Sequence, residues 1–237
     1  MFRQEDFKAM TKYIRDFFLV TLSSILLVLS FPEFNLGFLA WIGLVPFLIT
    51  LIGKGLKYSF LLSFTGGIIY FAGVFNWILQ VPGYTPLIHH PLLGLYLGPF
   101  FGLFGLSISF ISRRWGVIPA LSSAPFVWVP LEYIRSNLDF LALPWGLLAH
   151  SQYQYPVVIQ IASIIGTYGI SFLIVLVNAA LAALVLEIKC HFKIGDSGSG
   201  NGFKVVIPLE ESDSLVKTST GKNDINAEAK IIGITPP

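Results

Sequence analysis

Six apolar runs, each close to the length that crosses a bilayer, constrain this chain more than any other feature. About 20 apolar residues, at 1.5 Å per residue, cross roughly 30 Å of hydrocarbon. Runs of that kind lie at about 17–30, 36–52, 58–81, 92–111 and 117–134, and a sixth falls within 157–186. The first is short unless the helix starts earlier, near Tyr13. The sixth is too long for one upright span, so it divides into a shallow entry segment to about Ile165 and a span over 167–186. Backbone groups in hydrocarbon need partners within their own segment, and none of the runs alternates as a strand would. The expected fold class is therefore an all-α polytopic membrane protein with about six transmembrane helices. Composition agrees: 54% of residues are hydrophobic and 12% charged, against about one quarter charged in a soluble domain. No small-residue cleavage site follows the first run, which reads as a retained helix rather than a removable leader.

Lysine and arginine placement orients these runs. Arg3, Lys8, Lys12 and Arg15 precede the first, and the turn FPEFNLG after it has no basic residue. Lys54 and Lys57 follow the second, the loop QVPGYTPLIHHP has none, and Arg113 and Arg114 follow the fourth. Arg135 stands alone after the fifth, and Lys189 and Lys193 follow the sixth. The positive-inside rule then places both the N-terminus and the C-terminal tail in the cytoplasm. Arg135 becomes the only basic residue on the outer side. From Glu187 the character changes to Ser, Gly, Asp and Lys, as in GDSGSGNG, with two short β-like runs, FKVVIPL and KIIGI. Residues 187–237 are expected to form a flexible polar tail without a core of its own. The single cysteine excludes an internal disulfide.

The chemistry-bearing residues gather on that outer side, in LEYIRSNLDFLALPWGLLAHSQ at 131–152. Glu132 and Arg135 are three apart, so on a helix they share a face and can pair. Two readings stand: Arg135 snorkels to the headgroups with Glu132 neutralising it, or the pair meets a substrate. Pro144 interrupts any helix and Trp145 favours the interface, which gives either a turn with an aromatic anchor or part of a binding surface. Asn76 and Trp77, near the outer end of the third run, invite the same choice, with Asn76 bonding to another helix or to a headgroup.

Other residues carry less. His89 and His90 are adjacent and cannot converge on one ion from a helix, and His150 is alone, so no metal site is expected. They read as loop residues near the headgroups. Cys190, in EIKCHFK at the inner end of the sixth run, reads as a juxtamembrane thiol rather than a nucleophile, with acylation one option. Gly94, Gly98, Gly102 and Gly105 recur every three or four residues and make a smooth stripe for close helix packing. There is no phosphate loop, no nucleophile elbow and no basic aromatic patch for nucleic acid. No cofactor is implied.

Several stretches together resemble one family, the apolipoprotein N-acyltransferases. They are SFPEFNLGFLAWIGLVPFLITL at 30–51, GGIIYFAGVFNWILQ at 66–80, and APFVWVPLEYIRSNLDFLALPWGLLAHSQYQYPVVIQIASIIGTYGISFLIVLVNAAL at 124–181. The last has an acidic-aromatic-x-Arg at a helix end, a Pro-Trp, a Ser-Gln, then Gln-x-A-S-x-x-G-x-Y-G-x-S-F and an Asn within the helix. The resemblance covers about residues 20–186. It implies a bacterial cytoplasmic membrane protein whose family moves an acyl chain from a phospholipid onto a catalytic cysteine. The chain then passes to the amino group of a diacylglyceryl-cysteine at a lipoprotein N-terminus. Membrane phospholipid and lipoprotein are thus the implied partners. A Glu–Lys–Cys triad in a nitrilase-like domain outside the membrane does this chemistry, by a base-activated thiol and a cation that steadies the oxyanion.

The sequence departs from that pattern after the sixth run. A nitrilase-like domain needs on the order of 250 residues, more than an average domain. The stretch after Leu186 is much shorter and carries no recognisable triad. Cys190 does not match the nucleophile. The chain is therefore expected to be the membrane part of such an enzyme, inactive alone, either a fragment or a subunit served by a separately encoded nitrilase-like domain. Its catalytic residues are none, while Arg135, Pro144, Trp145, Trp77, Glu132 and Asn76 shape the substrate entrance. The alternative is a non-enzymatic scaffold that binds lipid or lipoprotein. A small transporter fits less well, because the charges lie near helix ends rather than at mid-depth.

Overall fold

A computed structural model describes residues 4–83 and 86–195, and the described residues form helices and loops with no strand. In chain order the α-helices are α1 (Gln4–Leu29), α2 (Ala40–Gly43), α3 (Val45–Leu51), α4 (Leu56–Val74), α5 (Pro86–Trp115), α6 (Val117–Ser136) and α7 (Pro156–Gly195). Short 3-10 turns sit at Gly37–Leu39, Asn76–Gln80, Asp139–Leu141 and Leu148–Gln152. The all-helical expectation holds. The count of six spans does not: three helices, over Ile88–Trp115, Val117–Ser136 and Pro156–Lys189, are long and apolar enough to cross a membrane.

The other three runs fall short for distinct reasons. In α1 only residues 17–29 form a long uncharged stretch, about 20 Å of helix at 1.5 Å per residue, and charged residues fill the part before them. In α4, Lys57 stands in the first turn and leaves only residues 58–74 without a charge. The run at 36–52 is not one helix at all. Pro46 cannot share a continuous helix with the carbonyl of Ile42, four residues before it. The chain breaks at Leu44, and Pro46 begins α3 instead, where its missing N–H costs nothing.

A broken helix inside an apolar bundle needs outside partners for its freed backbone groups. Asn178 of α7 supplies them. Its Oδ1 accepts the Leu44 N–H at 2.8 Å, and its Nδ2 donates to the Ala40 carbonyl at 2.8 Å. Ser23 of α1 donates to the Gly43 carbonyl. At the start of the break, Gln152 Nε2 donates to the Gly37 carbonyl at 2.8 Å while its Oε1 accepts from Trp41 Nε1 at 3.0 Å. A lone amide in a long apolar helix thus has a structural purpose.

The glycine stripe of α5 packs as its spacing suggests. Side chains of α4 that are four apart seat against it: Ile68 on Gly94, Phe64 on Gly98 and Phe60 on Gly102. A Cβ on Gly102 would come within 2.7 Å of the Phe60 ring, so the two helices approach closely only because it is absent. Behind this seam Phe47, Tyr70, Phe71, Phe101, Phe104 and Trp128 form an aromatic core.

The last helix breaks where its length requires. Gly166 has φ 71° and ψ 175°, outside helical geometry and strained for any residue with a Cβ. It separates an entry segment from the long span. The polar character from Glu187 does not stop the helix, which runs on to Gly195 because Glu, Ile, Lys and Phe are all compatible with it. The remainder of the expected tail, with both β-like runs, lies outside the described residues. His89 and His90, expected in a loop, stand in the first turns of α5, because Pro86 can open a helix there. Cys190 is on the helical backbone of α7.

Candidate functional site

The last turn of α6 carries two buried charged side chains, Glu132 at 6% exposure and Arg135 at 2%. Three apart, they were expected to pair or to reach the surface together. They do neither. The Arg135 guanidinium turns to the 137–147 connection and donates to the Leu143 and Trp145 carbonyls, each at 2.7 Å, and to the Gly146 carbonyl at 3.4 Å. Its other face lies over the Phe71 ring, 5.3 Å from the centroid. The Arg135 carbonyl in turn accepts the Leu143 N–H at 3.0 Å.

Glu132 takes the opposite kind of backbone group. Its Oε1 accepts the Leu148 N–H at 2.8 Å, and the next N–H, of Ala149, goes to the Ser171 hydroxyl of α7 at 3.1 Å. One helical turn therefore divides the backbone groups of the connection between two charges: the arginine collects carbonyls and the glutamate collects an amide. Backbone groups turned away from solvent require such partners. A planar fork of several N–H donors suits three converging carbonyls better than a point-like ammonium would.

The clamp fixes Pro144, Trp145 and Gly146. Gly146 has φ 69°, a conformation that disfavours a side chain, and a Cβ there would sit 3.2 Å from Val74. Tyr70 of α4 adds a hydrogen bond to the same Gly146 carbonyl at 3.4 Å. Pro144 and Trp145 are exposed, and Trp145 meets Trp77 edge to face, with ring centroids 5.8 Å apart at 84°. Both rings stay about half exposed, at 44% for Trp77 and 54% for Trp145. Asn76 donates to Glu33 at 2.8 Å, which ties the end of α4 to the 30–36 turn rather than to another membrane helix. Tyr153 donates to Asn35 across the same end.

The six residues singled out in the sequence thus lie at one end of the bundle in two layers. Glu132 and Arg135 are beneath, and Trp77, Trp145, Pro144 and Asn76 are above. His150 joins the lower layer. Burial first, and the Arg135 charge second, push its imidazole below the ordinary value. Sequence reasoning gave no role to Tyr70, Trp128, Gln152, Ser171 or Asn178. The usable signal for the last three was a polar side chain inside an apolar run.

The family model for the apolipoprotein N-acyltransferase N-terminal domain matches residues 23–180. The chain belongs to the apolipoprotein N-acyltransferase family. An apolipoprotein N-acyltransferase of Geobacter metallireducens is 36% identical over 188 residues, covering 77% of this chain and 36% of the relative. Apolipoprotein N-acyltransferase 1 of Treponema denticola is 33% identical over 178 residues, 71% of this chain and 31% of its own length. That of Thermotoga maritima is 32% identical over 174 residues, 68% of this chain and 34% of its own. The chain thus spans about a third of the length of these relatives. In the apolipoprotein N-acyltransferase N-terminal domain as it stands here, the matched residues include both layers of the site. What they do locally is to hold the backbone of the connection and present two tryptophan rings.

Proposed function

We propose that these residues are the membrane part of an apolipoprotein N-acyltransferase. In this reading they lie in the bacterial cytoplasmic membrane as a multi-pass protein. The end with Lys54, Arg113 and Arg114 faces the cytoplasm. The clamped connection faces outward. There the Trp77–Trp145 pair meets the lipid-borne substrates, a phospholipid acyl donor and the diacylglyceryl-cysteine of a lipoprotein. Tryptophan suits that depth, since its ring is apolar and its N–H can remain wet. The family match carries the reading, and the exposed ring pair on a rigid loop supports it.

Arg135 and Glu132 act beneath this surface, not on the substrate. Two of the residues expected at the entrance become the support for two others. Catalysis by a Glu–Lys–Cys triad would come from a nitrilase-like domain, joined to these residues or supplied separately. The 237 residues alone are proposed not to transfer acyl groups.

The test is acylation of a diacylated lipopeptide in phospholipid vesicles, followed by mass spectrometry. The purified chain should give no product, and the chain joined to the catalytic portion of the Geobacter metallireducens relative should give it. Alanine at both Trp77 and Trp145 should lower the rate of the joined protein about tenfold or more, with stability retained. Product from the chain alone would overturn the inactivity proposal. A joined, folded protein that binds lipopeptide without acylating it would favour a non-enzymatic scaffold.

A further inference from the structure

The corner between α5 and α6, at the far end of the bundle from the tryptophan pair, concentrates positive charge. α5 ends in Arg113, Arg114 and Trp115, and a single residue, Gly116, separates it from α6. Gly116 takes φ 97°, a turn that suits a residue without a Cβ. Both helices are long and apolar enough to cross a membrane, so a one-residue connection holds this corner at the membrane surface. The two arginines are exposed, yet their backbone cannot move away from headgroup depth. Ser112 Oγ accepts the Gly53 N–H at 3.0 Å, which ties the corner to the turn before α4. Arg113 Nη1 lies 3.8 Å from where a Cβ on Gly55 would stand. Exposed Lys57 follows in the first turn of α4.

These cations have no counter-charge beside them. From residue 34 to 131 the sequence has four basic residues and no acidic one. Lys54 is taken by Asp16 of α1, and among the described residues no carboxylate forms an ion pair with Lys57, Arg113 or Arg114. The helix ends do not supply one either. The end of α5 carries about half a negative charge and the start of α6, one residue on, about half a positive one. The two largely cancel at this corner. Its aromatic side adds a second character. Arg114 lies over the Trp115 ring, 5.9 Å from the centroid, a contact that uses the face of the guanidinium and not its N–H edge. Phe110, nearer the middle of α5, meets the same ring edge to face at 5.8 Å. Both rings are about half exposed, at 47% for Phe110 and 57% for Trp115. An apolar strip therefore leads from hydrocarbon depth up to the charges.

We infer that this corner is a binding site for an anionic phospholipid, its phosphate held by Arg113 and Arg114 and an acyl chain lying along Trp115 and Phe110. Guanidinium forks suit phosphate oxygens, which they can hold by paired hydrogen bonds. Lys57 adds a third positive charge from α4. A zwitterionic headgroup would bring its own ammonium among three cations, whereas a net negative one brings only what they lack. The site is apart from the Trp77–Trp145 surface and does not rest on acyl transfer.

The experiment titrates the full chain in detergent micelles with phosphatidylglycerol or phosphatidylethanolamine of identical acyl chains, read by native mass spectrometry. One basic residue near anionic lipid is worth about fivefold in affinity, so phosphatidylglycerol should bind at least about tenfold more tightly. Arg113→Gln with Arg114→Gln should reduce that preference to about threefold or less, and Lys57→Gln alone should reduce it about threefold. Lys189→Gln removes one charge from an exposed position on α7 and should leave the preference within about twofold of its starting value. Glycerol 3-phosphate, which has the anionic group without the chains, should not displace the lipid at equal concentration. Equal binding of the two lipids by the unaltered protein would overturn the inference. An equal loss in Lys189→Gln and Lys57→Gln would overturn it too, by making the preference a matter of net charge. Displacement by glycerol 3-phosphate would replace the lipid with a soluble phosphate as the occupant. Lys57 is exposed and outside any ion pair among the described residues, so its variant keeps the test decisive if the arginine pair is needed for folding. The readout is binding at the end remote from the tryptophans, so its failure leaves the acyl-transfer proposal standing.

Discussion

The two ends of this bundle each bury a pair of opposite charges, and use them in different ways. At one end Asp16 of α1 and Lys54, in the 52–55 turn, form a direct ion pair, with exposures of 1% and 8%. Tyr58 also donates to Asp16, at 3.3 Å, and the exposed Arg15 reaches its other oxygen. Here each charge is the partner of the other. At the opposite end Glu132 and Arg135 are nearer in sequence and yet serve the backbone of the 137–149 stretch. One pair fastens two segments together. The other supplies hydrogen-bond partners to the backbone of a loop. The lesson is that proximity along a helix does not choose a charge's partner when unsatisfied backbone competes for it, since a buried carbonyl or amide left alone costs about 1–3 kcal/mol.

The largest expected effect tests the second use directly. Arg135→Ala strands the Leu143 and Trp145 carbonyls and leaves the Glu132 carboxylate buried without its nearby cation. It should destabilise the protein by about 3–5 kcal/mol, the scale for removing one member of a buried charged arrangement. Arg135→Lys should recover less than half, because one ammonium cannot reproduce the fork. Unfolding by SDS in detergent micelles measures both, and limited proteolysis near Trp145 should accelerate in the same order. A fully stable Arg135→Lys would mean that the charge matters and the geometry does not.

A neutral residue doing the same work sharpens the comparison. Asn178 solvates the break at Ala40–Leu44 with no charge at all. Asn178→Leu should therefore cost about 1–3 kcal/mol, the penalty for unsatisfied neutral groups, and leave the Trp77–Trp145 end intact. A cost as large as that of Arg135→Ala would show that charge adds nothing to backbone solvation in this fold.

Much of the architecture was legible before any coordinates. Helices followed from apolar runs with no alternation, and the break at Gly166 from a run too long for one span. The broken segment at 37–51 was not, because apolar content is the same on both sides of Leu44 and only Pro46 marks the division. The site was half legible. Trp77 and Trp145 stood out by type, and the structure puts their rings together. The partner of Arg135 was misread because i and i+3 spacing speaks for a side-chain pair, whereas carbonyls of Leu143, Trp145 and Gly146 carry no mark in a sequence. Asp16–Lys54 was missed for the related reason that 38 residues separate its members.

A double-mutant cycle turns the contrast between the ends into one number for each. For Asp16→Asn with Lys54→Met the coupling should be about 1–3 kcal/mol, the range for residues in direct contact. The double variant should lie close to the starting stability, since removing both members of a buried pair is often near neutral. For Glu132→Gln with Arg135→Met the coupling should be smaller, toward the low end of that range, because the bonds of each residue go to different backbone groups and only the attraction between their charges is shared. Equal coupling at both ends would mean that Glu132 and Arg135 act chiefly on each other, and the description of a divided clamp would fail.

The smallest effect expected is on pH, and it should be confined to the clamped end. His150 is held below its ordinary value by burial and then by Arg135. Its folded form therefore binds a proton less readily than the unfolded chain, whose imidazole titrates near about 6.5. Stability that it supports is present above that value and is lost as pH falls through it, since the unfolded state then takes up more protons. Between pH 7.5 and pH 5.5 the SDS midpoint should drift downward, and His150→Gln should flatten the drift. Arg135→Met should also flatten it in part, by removing the second cause while leaving burial in place. Asp16→Asn, at the far end, should not alter the difference between the protein with His150 and the protein without it. A drift that survives His150→Gln unchanged would place the titrating group elsewhere, and the reach of the Arg135 charge would have to be drawn more narrowly.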